Sequence, residues 1–365
     1  MARSAPASPR RKAADGNPAP ERPGGGHASG RSSGSVTLSD VAKLAGVSPI
    51  TVSRVLNRPE LVTRDTIEIV RQAIARTGYV PNLLAGGLAS RRSRLVAAIV
   101  PTISSSMFAE TVEALTDKLA EAGYQVLLGL SGYPAVREDD LLDAILGRRP
   151  DGILLTGIMH SHATRRRLLA AGIPVVEIWD YTPTPIDALV GFSHERAGEA
   201  VARHLLAKGH RRLAVIGADD DRAMLRRKGF RAAIAGDGAG QGVADAATVT
   251  VPAPGTLRTG REAMARLLES DDRPDAVFCS SDIVAQGALA EALSRGLSVP
   301  GDLAVMGFGD LDFAAHTFPA LSTVRIDRRA MGRIAAETLL ARMEGRTDLD
   351  RVIDIGFEVI ERAST

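Results

Sequence analysis

The segment Val36–Asn57 carries the residues whose types and spacing point most directly to a chemistry. Two short helices with apolar faces are predicted there, with Gly46 in the turn between them, Ser48 as the N-cap of the second helix and Pro49 at its first position. The outer face of the second helix offers hydroxyls for phosphate, an apolar contact for a thymine methyl and an arginine for guanine. These predicted contact residues are Ser48, Pro49, Ile50, Thr51, Ser53, Arg54 and Asn57.

The distribution of charge favours a polyanionic partner for the same end of the chain. Residues 1–94 carry 15 Lys and Arg against 6 Asp and Glu, whereas the remainder carries 30 against 37. A basic end of this kind is typical of nucleic-acid binding, although an ordinary solvated basic surface is the alternative. For the two helices by themselves, the alternative is a helical hairpin without a DNA-binding role. Residues 1–35 are rich in Pro, Gly and Ser, and they are predicted to form a disordered tail.

Composition excludes several classes of protein. The chain has 365 residues, too many for one hydrophobic core, and its one cysteine, Cys279, excludes a disulfide framework and a multi-cysteine metal site. No apolar run approaches the roughly 20 residues that span a bilayer, and no secretory signal is recognisable, so a cytoplasmic location is expected. Phosphate-binding glycine loops are absent, and the pair His160 and His162 lacks a third metal ligand in sequence. We therefore expect no cofactor and no metal.

From Leu95 onward, apolar strand-like runs alternate with amphipathic helical stretches. This alternation predicts an α/β fold with parallel sheets, in two lobes that divide near Gly191–Ser193, with the chain crossing back near Ser322–Asp327. The predicted strands are 95–101, 124–130, 152–157, 173–179, 212–217, 248–252, 276–281 and 303–308. The predicted helices are 108–122, 137–147, 161–171, 194–208, 222–235, 258–270, 283–295 and 328–344.

A ligand is expected between the lobes, where the carboxyl ends of strands converge. Carboxylates there accept hydrogen bonds from sugar hydroxyls, an aromatic ring covers the C–H side of a sugar, and a guanidinium binds an anion. The candidate residues are Ser104, Ser106, Phe108, Trp179, Asp180, Arg222, Arg226, Ser281, Asp282, Asp310 and Asp312. The alternatives are that Trp179 is an ordinary core residue and that the two arginines lie on the surface.

The segment Val36–Asn57, with its TVSRVLN run and the downstream GYVPN of Gly78–Asn82, resembles the DNA-binding headpiece of the LacI/GalR transcription-factor family. That resemblance implies a hinge in the following NLLAGGLAS, where a short helix forms on DNA and Leu88 enters the minor groove beside Ala85. It also places Tyr79 and Asn82 among the DNA contacts. An ordinary flexible linker is the alternative for the hinge.

Residues 95–365 resemble the periplasmic-binding-protein-like sensor core of the same family, through DGILLTG, KGHRRLAVIGA and PDAVFCSSD. The stretches DDRAMLRRKGF and GFGDLDF are similar to those of its gluconate-operon repressor group, which implies a sugar acid, most simply gluconate, as effector. Ser193, Ser281 and Gly309 depart from residues common in the family, so the exact ligand and its phosphorylation stay open.

Together these observations predict a homodimeric transcriptional repressor that binds double-stranded operator DNA and is released by a small sugar acid. The predicted parts are a tail (1–35), a headpiece (36–81), a hinge (82–93) and a sensor (94–365). The sensor lobes are expected at 94–192 with 325–345, and at 193–324 with the C-terminal strand. The rivals are a sugar-binding transport protein, an α/β enzyme with a regulatory headpiece, and a regulator co-repressed by its ligand. A dimer of dimers, the operator and the regulated genes stay open.

Overall fold

The computed structural model describes residues 36–80, 92–104, 106–133, 136–238, 246–346 and 348–365, with all their side chains except those of residues 136, 137, 237 and 238. The chain forms two compact units, Met1–Asn82 and Leu83–Thr365. The first is helical and the second holds parallel sheets covered by helices, which confirms the predicted fold class.

Residues 36–80 fold into three α-helices: α1 (Leu38–Ala45), α2 (Pro49–Asn57) and α3 (Arg64–Thr77). Thr37 and Asp40 cap α1 reciprocally, and Gly46 ends it in the left-handed region at φ 67°, where a glycine is favoured. The core of this unit is small and made of short side chains, which lets α1 and α2 approach closely. Its buried apolar residues are Val41, Ala42, Val52, Val55, Val70 and Ala73.

The second unit contains two parallel sheets. Among the described residues, the first sheet has the order β11-β5-β4-β3-β1-β2 and the second has the order β7-β6-β8-β9. Their central strands are buried on both faces, which is why they read as continuous apolar runs in the sequence. The strands are β1 (Leu95–Val100), β2 (Gln125–Leu130), β3 (Gly152–Thr156), β4 (Val175–Ile178), β5 (Ala188–Gly191), β6 (Leu213–Ala218), β7 (Ala247–Val251), β8 (Ala276–Cys279), β9 (Ala304–Met306), β10 (Thr323–Arg325), β11 (Val352–Asp354) and β12 (Glu358–Ile360).

Helices cover both sheets and continue the numbering of the first unit. They are α4 (Ser106–Glu121), α5 (Val136–Leu146), α6 (His162–Ala171), α7 (His194–Ala207), α8 (Asp221–Ala233), α9 (Leu257–Glu269), α10 (Asp282–Ser294) and α11 (Arg328–Met343). Each begins shortly after a strand ends, and for every helix but α11 that strand belongs to one of the two parallel sheets. The N-termini of these helices therefore gather at the carboxyl edges of the sheets. That edge is where the predicted ligand residues lie.

The C-terminal region differs from the single strand that the sequence suggested for the second lobe. It contains two strands, because Gly356 at φ 68° interrupts the extended run. The first, β11, joins the first sheet beside β5, and the second, β12, pairs antiparallel with β10. The short β5 was also not predicted, since it follows β4 without an intervening helix and has only four residues.

Helices α7 and α8 approach each other through a reciprocal pair of glycines. A Cβ placed on Gly198 of α7 would lie 1.9 Å from the carbonyl oxygen of Arg226, and one on Gly229 of α8 would lie 1.9 Å from that of Glu195. Helices α9 and α10 repeat the arrangement, with Gly260 against the Val284 backbone at 2.3 Å. Backbone therefore packs directly on backbone at both crossings, which leaves no room for a methyl group.

We predict that Gly198→Ala destabilises the protein by about 1–3 kcal/mol, because overpacking against a backbone carbonyl outweighs the roughly 1 kcal/mol that alanine gains in a helix. Urea unfolding followed by the fluorescence of Trp179, the only tryptophan of the chain, measures this change. The control is Gly236→Ala, where a Cβ would meet no described atom within 4 Å. Equal stability of the two variants would contradict the prediction.

Candidate functional site

The outer face of α2 presents the predicted DNA-contact residues together. Ser48, Pro49, Ile50, Arg54 and Asn57 are exposed, and Ile50 is 65% exposed although it is apolar. No packing within the headpiece explains an isoleucine left this open to solvent. The face therefore combines an unpartnered apolar side chain with a guanidinium and polar groups, a composition suited to the major groove.

Some of these polar side chains also stabilise the helix that carries them. Ser48 Oγ accepts a hydrogen bond from the amide of Thr51 at 3.2 Å, and its hydroxyl lies 2.9 Å from that of Thr51. The Asn57 amide donates to the carbonyl of Ser53 at 2.9 Å. Tyr79 packs against the apolar core of the headpiece. The predicted hinge contacts Asn82, Ala85 and Leu88 lie outside the described residues.

Two adjoining cavities open between the lobes of the second unit, at the carboxyl edges of its sheets. The inner cavity has a volume of about 240 Å³ and the outer cavity about 410 Å³. Tyr133, Asp220 and Arg222 line both, so these three side chains stand at the boundary between them. The inner cavity brings together six of the predicted ligand residues, which are Ser104, Phe108, Trp179, Arg222, Arg226 and Ser281.

Four other predicted ligand residues do not line either cavity, and Asp282 shows why. Its carboxylate is fully buried and accepts hydrogen bonds from the Leu311 amide at 2.7 Å and the Thr323 hydroxyl at 2.6 Å. Burial raises the pKa of Asp282 to about 6 despite these bonds. Its oxygens already have partners, so Asp282 ties α10 to the crossing strand β10 instead of facing a ligand.

The remaining three are likewise placed elsewhere. Asp310 accepts from Arg325 Nε at 2.6 Å and from an Arg362 terminal nitrogen at 2.7 Å. Although its burial opposes ionisation, these two guanidinium groups hold the pKa of Asp310 below its usual value. Ser106 is exposed at the start of α4, and Asp312 is exposed on a short 3₁₀ turn. The last of the predicted ligand residues, Asp180, lines the outer cavity but not the inner one.

Arg226 is the charged centre of the inner cavity. It is 6% exposed, and one terminal nitrogen lies 2.9 Å from His194 Nδ1 while the other donates to the Ser280 carbonyl at 3.0 Å. Its guanidinium carbon stands 4.1 Å above the ring centre of Phe308. Burial lowers the pKa of Arg226 to about 10, so the group stays protonated at neutral pH. Among the described residues its buried Nε has no hydrogen-bond partner.

Trp179 forms the aromatic wall of the same cavity. Its backbone is held at φ 64°, a left-handed conformation that costs a large residue about 1–3 kcal/mol. The ring packs edge-on against Phe108 and Phe192, with centroids 5.3 and 6.1 Å away. Its buried indole Nε1 finds no acceptor within the described part of the chain. The predicted core and ligand-wall roles of Trp179 are thus compatible, because one face is packed and the residue also lines the cavity.

Several residues of the inner cavity were not recognised as ligand candidates from the sequence, among them Tyr133, His194, Asp220, Ser280 and Phe308. Each lies within a few residues of the carboxyl end of a strand, so the rule that selected the other candidates also covers them. What the sequence did not reveal was pairing over long separations, such as that of His194 with Arg226.

The outer cavity contains a buried ionic cluster. His160 Nδ1 lies 2.6 Å from Glu138 Oε1, and its Nε2 lies 3.0 Å from the Gly157 carbonyl and 3.5 Å from Glu177 Oε1. The second Glu177 oxygen accepts from the Ile186 amide at 2.6 Å. Burial alone would lower the pKa of His160, but the two glutamates raise it to about 9. This histidine is therefore a buried cation, and the described residues hold no cluster suited to a metal ion.

Comparison with known proteins connects both sites to one family. Residues 37–82 match the family described as bacterial regulatory proteins, lacI family, and residues 202–365 match a periplasmic binding protein-like domain. The HTH-type transcriptional regulator GntR of Pseudomonas aeruginosa is 44% identical over 336 residues, which cover 92% of this chain and 97% of that protein. The chain belongs to the lacI family.

Solved structures agree with this assignment. A LacI-family transcriptional regulator from Silicibacter pomeroyi, 34% identical, has a TM-score of 0.84 and covers 90% of this lacI-family chain and 99% of its own. A lac repressor dimer bound to operator and an anti-inducer, 25% identical, has a TM-score of 0.80 with coverages of 91% and 99%. The predicted family and regulatory function are confirmed.

This lacI-family chain is a DNA-binding transcriptional repressor and not an enzyme. As a regulator of this type it binds operator DNA and a small-molecule effector. In the part of the chain that the structure describes, no helix is long and apolar enough to cross a membrane.

We predict that His160 stabilises the fold in a pH-dependent way. Its pKa is about 9 in the folded chain against about 6.5 when unfolded, so its stabilisation is complete below about pH 6.5 and is lost as pH rises through 9. The difference in unfolding free energy between the wild type and His160→Gln should therefore be largest near pH 6.5 and small near pH 9.5. Urea titrations at both pH values, followed by Trp179 fluorescence, measure it.

The matched control is His162→Gln, since His162 is exposed two residues away. This variant separates the loss of the buried histidine from the loss of an exposed one. A difference for His160→Gln that stays constant from pH 6.5 to 9.5 would contradict the buried cation.

Proposed function

We propose that this repressor controls genes for the use of sugar acids, with gluconate as its simplest effector, and that the effector binds in the inner cavity and releases the operator. The resemblance of its DDRAMLRRKGF and GFGDLDF stretches to the gluconate-operon repressor group supports this effector. The relative named GntR in Pseudomonas aeruginosa agrees with the same group.

The observation that carries the proposal is that a positively charged guanidinium is buried in the inner cavity. Arg226 is buried there, and both of its hydrogen-bonded partners, an imidazole nitrogen and a backbone carbonyl, are neutral. A buried guanidinium without a carboxylate partner is costly, and a bound anion relieves that cost. A ligand carboxylate accepts readily from a guanidinium, which keeps three further N–H groups beyond the two already engaged.

The rest of the inner cavity suits the polyol part of such a ligand. Trp179 brings an indole N–H without an acceptor among the described residues, and a ligand hydroxyl can supply one. Ser104, Thr256 and Ser281 add hydroxyls along the wall. The volume of about 240 Å³ lies below the range of about 300–1,000 Å³ for drug-sized ligands, so a small acid fits better than a large one.

The proposal also assigns the DNA contacts. We assign base reading to the exposed face of α2, with Arg54 pairing with guanine and Ile50 contacting a thymine methyl. We further propose that the protein acts as a homodimer on a near-palindromic site, in line with the operator-bound lac repressor dimer to which it is similar. The hinge residue Leu88, outside the described residues, is proposed as the minor-groove wedge.

Fluorescence anisotropy of the full chain on a labelled palindromic site from its own promoter, at fixed salt, tests the effector. Gluconate should weaken operator binding by about 5–150-fold, the usual range of allosteric coupling, whereas the neutral polyol glucitol should have little effect. Equal weakening by both compounds, or no effect of gluconate, would reject the acid effector. Stronger binding with gluconate would instead show co-repression.

Arg54→Ala should reduce discrimination between the operator and a site with one guanine changed, by about 1–3 kcal/mol, because it removes a bidentate base contact. The same anisotropy assay on the two DNA sites measures this. Arg71→Ala is the control, since Arg71 is an exposed arginine that lies on α3 and not on α2. A uniform loss of affinity on both sites would make Arg54 a phosphate contact.

A further inference from the structure

His194 connects two residues of the inner cavity, Trp179 with its left-handed backbone and the buried Arg226. It is the first residue of α7 and is 2% exposed. Its Nε2 lies 2.9 Å from the backbone carbonyl oxygen of Trp179, and its Nδ1 lies 2.9 Å from a terminal nitrogen of Arg226. Phe192 and Phe308 pack against the imidazole, with ring centroids 4.6 and 5.9 Å away. The ring is therefore held in one orientation.

The chemistry of these two partners determines which imidazole nitrogen carries the proton. A carbonyl oxygen only accepts hydrogen bonds, so Nε2 of His194 must carry the hydrogen. A guanidinium only donates, so Nδ1 must be unprotonated. An imidazolium would direct a second N–H at Arg226. Burial, with the charges of Arg226 and Arg222 in support, holds the pKa of His194 well below its usual value, which agrees with the neutral ring.

A neutral acceptor at this position has a specific effect on Arg226. His194 fixes one terminal nitrogen, the Ser280 carbonyl fixes the other, and the ring of Phe308 lies under the guanidinium plane. The group is thus oriented from three sides by uncharged groups, and the carboxylates of Asp220 and Asp180 act on it only electrostatically and not through a hydrogen bond. A carboxylate in the place of the imidazole would hold the arginine equally well but would cancel the charge that an acidic ligand needs.

We propose that His194 is the positioning residue that makes the inner cavity prefer an acid over a neutral polyol, by holding Arg226 with a neutral acceptor. This inference rests on the proposed function, because it assigns the source of selectivity within the same site. His194 acts through Arg226, which contacts the anionic group of the ligand.

Two substitutions separate the two hydrogen bonds of the imidazole. The amide oxygen of asparagine reaches the place of Nδ1, so His194→Asn keeps an acceptor for Arg226. The longer glutamine places its amide near Nε2, so His194→Gln keeps a donor for the Trp179 carbonyl but removes the acceptor for Arg226. The two variants remove one hydrogen bond each and similar packing, which makes each the control for the other.

The affinities of gluconate and glucitol, measured by calorimetry on the full chain, test the proposal. His194→Gln should lose about tenfold or more in gluconate affinity, as expected when a hydrogen bond to a charged group is lost, while glucitol affinity stays the same. In His194→Asn, the ratio of gluconate affinity to glucitol affinity should stay within about threefold of the wild-type ratio. A wild-type ratio in His194→Gln, or an equal loss in both variants, would overturn the proposal.

A second measurement uses the wild-type protein and requires no known effector. Nitrogen NMR of ¹⁵N-histidine-labelled wild-type protein reports the tautomer of each of the seven histidines of the chain. One buried histidine should remain in the neutral Nε2–H form from pH 8 to pH 5.5. If every histidine becomes an imidazolium over this range, the neutral acceptor is disproved. Failure of the wild type to bind gluconate would reject the proposed effector, and the tautomer would still decide whether His194 is a neutral acceptor for Arg226.

Discussion

A single buried positive charge organises the inner cavity. Arg226 is almost wholly buried there, and the protein supplies it with an imidazole nitrogen, a backbone carbonyl and an aromatic face but with no hydrogen-bonded carboxylate. The helices that bring Arg226 and His194 together can do so only because Gly198 and Gly229 remove side chains from their crossing. The close contact of α7 with α8 is therefore what holds the charge of Arg226 in the cavity without a hydrogen-bonded carboxylate.

Outside the inner cavity, a second buried arginine does have a carboxylate partner. Arg328 on α11 forms a bidentate pair with Glu110 on α4 at 3.0 Å and donates to the backbone carbonyls of Gly309 and Asp310. These bonds tie the helix that carries Phe108 to the segment where the chain crosses between lobes. A movement of one lobe thus changes a network of charged hydrogen bonds, and such networks have discrete arrangements that an effector can favour.

Most of the fold was predictable, and the reasons are local. The doubly buried strands and the helices between them follow from apolar periodicity, and the helix–turn–helix follows from its caps and the turn glycine. The short β5 was not predicted, because no helix separates it from β4, and the separation of β11 from β12 was not predicted, because it depends on the left-handed backbone of Gly356. In the site, the rule of strand ends selected Arg226 and Trp179, and both line the inner cavity. That rule could not show that Asp282 and Asp310 already had partners, since those partners lie 15 to 52 residues away.

The solitary cysteine has a practical consequence. Cys279 is completely enclosed in β8, and burial raises its pKa far above the usual range, so almost no thiolate forms at neutral pH. Maleimide and methanethiosulfonate reagents require an accessible thiolate. A cysteine introduced on an exposed helix of either lobe would thus be the sole reactive thiol of the polypeptide, and fluorophores or spin labels could be attached to it without first removing the native one.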